Sequence, residues 1–220
     1  MPNSKNPLAM VIGPYNPMVI NMFYDAGWRG TRDPMMADLL VFTGGADISP
    51  SLYHEKPITQ CGAPDLTRDK VEREAFDTGK NFEIPMVGIC RGAQILNALN
   101  GGRLWQDVDG HRGNHKARDL FTNEIFEVTS THHQMMRPTH EAVVIAIAEA
   151  DPNLSSLCTY KRADGIEIEP STKDIDPEVV FYESTKSLCF QPHPEYNSRT
   201  DTPGYFWSCL NKYILDKKAA

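Results

Sequence analysis

The sequence predicts an α/β fold: a doubly wound, mostly parallel sheet flanked by helices, with a small antiparallel addition in its second half. Three observations carry this expectation. Short apolar runs alternate with helix-length amphipathic stretches, the pattern of repeated strand–helix units. Glycine pairs at Gly44, Gly45 and Gly101, Gly102 close two of these segments, where the chain has to turn sharply. Finally, 220 residues that are 40% hydrophobic and 23% charged suffice to bury a core. No repeat, low-complexity tract or linker interrupts them, so residues 1–220 read as one domain.

The elements follow in order. Residues 8–12 form the first strand, and residues 18–26 a helix. D-L-L-V-F-T at 38–43 is a buried strand stopped by Gly44 and Gly45. In the segment 65–82, Val71, Ala75 and Phe76 recur at helical spacing among charges, and Asp65 and Asp69 near its start suit the helix dipole. Pro85 opens the apolar run 86–89, and a helix over 93–100 ends at Gly101. Residues 125–130, 142–148, 178–182 and 188–190 read as strands with few long helices between them. Pro203 starts a closing helix whose apolar face holds Phe206, Leu210, Tyr213 and Ile214.

Composition excludes several classes of function. The net charge is −7 and no Lys/Arg run offsets it locally, so nucleic acid is not an expected partner. Apolar stretches such as 8–12 and 142–148 fall short of the ~20 residues that span a bilayer. The first twenty residues lack a basic segment leading an apolar one. Five cysteines, an odd count without a CxxC pair, argue against a disulfide scaffold. A soluble, cytoplasmic protein is expected.

The chemistry concentrates at three places. Gly88-Ile89-Cys90-Arg91-Gly92 is a G-x-C-x-G segment between a buried strand and a helix, the sulfur counterpart of a nucleophile elbow. A helix N-terminus there favours thiolate over thiol. In Gln191-Pro192-His193-Pro194-Glu195 the prolines favour extended backbone, where positions i and i+2 face one way. Glu195 is therefore placed to orient His193 as the base. An acyl intermediate also needs two N–H donors for its oxyanion. The backbone N–H of Arg91 is one candidate, and that of Gly45 in the turn Thr43-Gly44-Gly45-Ala46 is the other.

These residues resemble a known family. L-L-V-F-T-G-G-A-D, G-I-C-R-G-A-Q and Q-P-H-P-E are similar, in order and spacing, to three signatures of class I glutamine amidotransferase-like proteins, a flavodoxin-like α/β architecture. Asp47, Pro50 and Tyr53, then Arg68, Asp69 and Glu72, then N-x-x-x-G-G-x-L-x-Q-D from Asn97 to Asp107 and H-Q at His133 and Gln134 resemble its γ-glutamyl hydrolase branch. That branch includes γ-glutamyl-γ-aminobutyrate hydrolases. The resemblance implies a Cys90, His193, Glu195 triad cleaving a γ-glutamyl amide through a thioester. It further implies that Gln94 contacts the glutamyl group and that His133 is a pocket histidine, with Arg68 and Asp69 as a structural ion pair. Pro192 departs from the tryptophan common at that position, and the loops are short.

His111 and His115, four apart around Gly113, read as a solvated loop, so no metal and no organic cofactor are expected. Met135 and Met136 read as packing residues. Three functions remain open: a free-standing γ-glutamyl hydrolase acting on a small conjugate, a glutaminase subunit passing ammonia to a separate synthetase partner, and an idle binding protein on the same scaffold.

Overall fold

The computed structural model describes residues 6–108, 110–149, 160–161, 167–168, 176–196 and 199–216. The first half contains β1 (Leu8–Ile12), α1 (Pro17–Asp25), β2 (Arg29–Gly30), β3 (Leu39–Phe42), α2 (Leu66–Asn81), β4 (Met86–Ile89) and α3 (Arg91–Leu99). The second half contains β5 (Arg103–Trp105), β6 (His115–Asp119), β7 (Ile125–Val128), β8 (Met135–Arg137), β9 (Val143–Ala148), β10 (Tyr160–Lys161) and β11 (Glu167–Ile168). It continues with β12 (Pro177–Tyr182), β13 (Ser187–Phe190) and α4 (Thr202–Leu210), which runs on into one π-helical turn, Asn211–Leu215.

Among the described residues nine strands make one sheet in the order β2-β1-β3-β4-β13-β12-β9-β6-β7. The five strands from β2 to β13 pair in parallel. The four from β12 to β7 continue the same sheet antiparallel, and β5 and β8 form a separate antiparallel ribbon.

The pleat explains the layering. On β3, Leu39 and Val41 face the core under α1 and α4, where Val19, Phe23, Phe206 and Leu210 pack. Leu40 and Phe42 face the opposite core with Phe76 of α2 and Ile95 and Leu96 of α3. Helices thus cover both faces, and the doubly wound expectation holds. Helix starts are fixed locally: Asn16 caps Met18 and Val19 N–H, and Asp65 caps Arg68 N–H. No described helix is long and apolar enough to cross a membrane.

The first-half elements match the sequence reading to within one or two residues. The second half holds more strands than the pattern suggests, since β6 and the β5–β8 ribbon carry no clear alternation. His111 and His115 correct the reading more sharply. Both are buried, and His115 opens β6 rather than lying in a solvated loop. Of the cysteines, Cys61, Cys90, Cys189 and Cys209 are free thiols; Cys158 lies outside the described residues.

Candidate active site

The C-terminal ends of β3, β4 and β13 lie side by side, and each delivers one part of the site, as strand ends of open α/β sheets do. Cys90 leaves β4 with φ 51° and ψ −110°, a strained conformation for a residue bearing a side chain. Its N–H donates to Phe190 O of β13 (2.9 Å), and its carbonyl accepts the first helical bond from Gln94 N (3.1 Å). The flanking glycines are sterically required. A Cβ on Gly88 would overlap the Gly92 carbonyl, and one on Gly92 would overlap the Phe42 carbonyl on β3. The spacing of G-x-C-x-G is thus the spacing at which backbone meets backbone around the elbow.

His193 follows β13, anchored by its N–H to Thr129 O (3.0 Å). Its Nδ1 lies 2.8 Å from Glu195 Oε1, so Nδ1–H donates and Nε2 points away from the carboxylate. The Cys90 side chain is the ring's neighbour at the cavity floor, the ring's Nε2 lies 2.9 Å from Thr131 Oγ1, and Tyr196 stacks on its face with centroids 4.4 Å apart. Burial disfavours the imidazolium, but the hydrogen bonds and charges of Cys90 and Glu195 outweigh it and raise the pKa to about 10.

The Thr43–Gly45 turn at the end of β3 packs against both groups: a Cβ on Gly44 would stand 3.1 Å from His193 Cε1 and 3.6 Å from Cys90 Cβ. Arg68 holds this turn, donating from Nη2 to Thr43 O (2.8 Å) and Gly44 O (3.1 Å). A Cβ on Gly45, whose φ is +150°, would collide with the same guanidinium. The expected Arg68–Asp69 ion pair does not form. Adjacent helix residues point apart, so Arg68 bonds Glu72 (Nε–Oε1 2.7 Å) while Asp69 and Glu72 both bind the buried Arg91 side chain. The residue after the nucleophile therefore points its side chain down into an ion network beneath α2.

A cavity of about 260 Å³ opens over Cys90 and His193, bounded by Gly45, Asp47, Gln94, Tyr196 and the segment 131–134. Gln94 donates to Gln134 O (3.1 Å) and approaches Gln191 Oε1 (3.4 Å). His133 sits between two carboxylates, Nε2 to Asp47 Oδ1 and Nδ1 to Asp107 Oδ1, both 3.0 Å. The Asp47 hydrogen bond lifts the His133 pKa against burial, and His133 and Gly62 N–H hold Asp47 below its usual range. All seven candidate residues, Cys90, His193, Glu195, Gly45, Arg91, Gln94 and His133, gather around the C-terminal ends of β3, β4 and β13. Thr131 and Tyr196 carried no sequence signal, because isolated Thr and Tyr residues in loops have no distinguishing spacing; Asp47 and Asp107 stood in motifs without a role being read for them.

A family model described as Peptidase C26 matches residues 34–195, which includes all of these groups. The chain belongs to the Peptidase C26 family, of the class I glutamine amidotransferase-like kind. Among curated relatives, a Lactococcus lactis protein named as glutamine amidotransferase-like is 44% identical over 73 residues, 33% of this chain and 31% of that protein. A Mycobacterium tuberculosis protein named as a glutamine amidotransferase is 30% identical over 137 residues, 54% of this chain and 44% of that protein. The chain therefore spans about a third to a half of these two relatives. Among solved structures, this Peptidase C26 member superposes with TM-score 0.66 and 13% identity on a Thermoplasma acidophilum protein assigned as a GMP synthase subunit, covering 99% and 98% of the two chains. A glutamine amidotransferase of Thermotoga maritima gives TM-score 0.59 at 15% identity, covering 98% and 86%. At these identities the likeness concerns the fold.

Proposed function

We propose that the chain is a cysteine-dependent hydrolase of γ-glutamyl amide bonds, working as a single domain. The observation that carries this reading is the arrangement of Cys90 on a strained elbow, beside an imidazole that Glu195 orients. The His193 imidazole is placed to take the Cys90 thiol proton, giving a thiolate and an imidazolium. The thiolate attacks the γ-carbonyl carbon, and the C=O electron pair moves to oxygen, facing the N–H groups of Gly45 and Arg91. As the tetrahedral species collapses, the C–N bond breaks and His193 gives its proton to the departing amine, leaving a thioester on Cys90. His193, now neutral, takes a proton from water. Hydroxide attacks the thioester, releasing glutamate and the thiolate, and the imidazolium is restored.

Recognition of the glutamyl half falls to the polar wall of the cavity. Gln94 and His133 face the space that the α-amino and α-carboxylate groups would occupy. A substrate one methylene shorter would leave such groups unpaired, at about 1–3 kcal/mol each. Comparing kcat/KM for γ-glutamyl and β-aspartyl amides, with thioester trapping at Cys90 by mass spectrometry, tests the reading. A large preference for glutamyl with acyl-Cys90 supports it; equal rates, or an acyl group elsewhere, reject it.

A second reading has its own support. Relatives named as carbamoyl phosphate synthase small chains and a structural neighbour described as PurLQS of Thermotoga maritima suggest a glutaminase subunit that passes ammonia to a synthetase. Glutaminase activity appearing only on addition of such a partner favours that alternative over self-sufficient turnover of γ-glutamyl amines.

A further inference from the structure

Behind the active-site cavity the core contains a polar cluster that the proposed chemistry does not use. His111, His115 on β6, His132 and Glu178 on β12 are all buried, and Glu178 and His111 are fully so. Three imidazole nitrogens converge on a single carboxylate oxygen, Glu178 Oε1: His115 Nε2 at 2.9 Å, His111 Nδ1 at 3.5 Å and His132 Nε2 at 3.7 Å. Glu178 Oε2, His111 Nδ1 and His132 Nε2 have no satisfactory hydrogen-bond partner, although buried polar groups nearly always find one.

The other nitrogen of each ring is already committed. His111 Nε2 faces Asp176 Oδ2 (3.3 Å), His132 Nδ1 faces Gln134 O (3.0 Å), and His115 Nδ1 faces Gly113 O (3.1 Å). Each of these partners is an acceptor, so each committed nitrogen carries the proton. In the neutral tautomers three lone pairs face one anionic oxygen, so either protons on the rings or a bound cation must hold the arrangement together. Histidines that bind metals are fixed in this way, with the far N–H donated to a carboxylate or carbonyl. The spacing also fits. Tetrahedral zinc with bonds of ~2.0–2.1 Å puts neighbouring ligand atoms about 3.3–3.4 Å apart, and the three observed separations straddle that value. The nearest ligand atoms of His111, His132 and Glu178 all lie within 4.8 Å of one another.

We propose that His111, His132 and Glu178, completed by His115, form a binding site for one divalent transition-metal ion of the zinc type. The all-N/O donor set with three imidazoles suits zinc, and disfavours calcium or magnesium, which take oxygen ligands. The ion would also brace the catalytic wall. His132 stands between Thr131, which touches His193 Nε2, and His133, which bonds Asp47 and Asp107. The neighbouring Ser130 hydroxyl bonds the His111 carbonyl.

The test uses the full chain with Cys90→Ser, which removes the thiolate that would itself bind metal beside His193. Chelator-treated protein is titrated with Co2+ and, separately, with Zn2+ in competition with a chromophoric chelator, while circular dichroism monitors the fold. The expected result is one tightly bound equivalent, visible d–d bands of low-coordinate cobalt without sulfur charge transfer, release of protons on binding, and a melting temperature that rises with free metal. His132→Gln and, separately, His111→Gln lower the affinity at least tenfold, whereas His133→Gln, whose ring bonds Asp47 and Asp107 instead, leaves it unchanged. Folded Cys90→Ser protein that takes up no stoichiometric metal overturns the proposal and leaves a cluster bridged by protons alone. Binding that survives both His132→Gln and His111→Gln overturns it too. The Cys90→Ser measurement decides the matter even where a cluster variant fails to fold, and none of these readouts depends on the hydrolase assignment.

Discussion

In the parallel half of the sheet the polar groups of the site stand at strand ends: Cys90 after β4, the Thr43–Gly45 turn after β3, and His193 after β13. In the antiparallel half they lie between strands and in the segment that crosses them, with His115 on β6, Glu178 on β12, and Thr131 to Gln134 just before β8. The first arrangement points reactive atoms outward into a cavity that substrate can enter. The second buries His115 and Glu178 in the core and brings Thr131 to Gln134 to the cavity wall. On the proposed reading, the parallel half supplies the bond-breaking groups, while the antiparallel half sets their alignment and reads the substrate. Among the contacts that join them at the site is Thr131 Oγ1 to His193 Nε2.

If that division holds, changes at the parallel strand ends cost the most. Cys90→Ala is expected to lower kcat on the order of 10⁴–10⁶-fold with little loss of stability, measured by steady-state kinetics and thermal melting. Alanine keeps the Cβ and with it the φ 51° conformation, and the Gly88 and Gly92 contacts remain, so the fold is not expected to change. Near-normal turnover in this variant would break the comparison at its root.

Glu195→Gln comes next, with an expected loss of ~10²–10⁴-fold in kcat. Its pH signature is more telling. His193 has a folded-state pKa of about 10 against an ordinary 6.5. Its contribution to stability is therefore fully present below about pH 6.5 and is lost as pH rises through about 10. Wild-type kcat/KM should keep its alkaline limb near that upper value. Removing the Glu195 charge lowers the His193 pKa, and both the limb and the stability decline move to lower pH. An unshifted limb would show that another group controls it.

The oxyanion turn is expected to be less sensitive. Arg68→Lys keeps a positive charge beside Glu72 but loses the fork that grips Thr43 O and Gly44 O. A loosened rather than deleted N–H donor costs ~10–100-fold in kcat with KM nearly constant. A rise in KM alone would assign the turn to ground-state binding instead.

The same division explains what could be read in advance. Cys90, His193 and Glu195 were legible because each sits in a short segment whose spacing has a local cause: glycines forced by backbone contact around the elbow, and prolines that set i and i+2 on one face. The first-half strands were legible as apolar runs because both faces of β3 and β4 are buried. The antiparallel half offered no such signal. His115-Lys-Ala-Arg-Asp on β6 alternates between a polar core and solvent, so it does not look like a strand. His111 and His115 looked solvated because the carboxylate that keeps them buried, Glu178, lies more than sixty residues away. The partners of Arg68 and Asp69 were misassigned for the same reason: sequence proximity suggested a pair that helical geometry forbids.

The smallest effect belongs to a side-chain contact between the halves, and it sharpens the comparison most. Thr131→Val removes the hydroxyl 2.9 Å from His193 Nε2 while keeping nearly the same shape. One hydrogen bond is worth ~1 kcal/mol net, so kcat/KM should fall only about fivefold. The way that loss divides matters more than its size. If Thr131 fixes the ring's rotation toward Cys90, the loss falls on kcat, KM stays constant, and the Glu195-dependent alkaline limb keeps its position. If Thr131 instead belongs to the substrate-reading wall with Gln94 and His133, the loss falls on KM and differs between γ-glutamyl substrates carrying different amines. Steady-state kinetics on two such substrates, with Cys90 alkylation rates as an independent report on the sulfur–imidazole pair, separates the cases. A slowed alkylation together with lowered kcat places Thr131 with the catalytic half of the sheet. Unchanged alkylation with raised KM leaves it with the other.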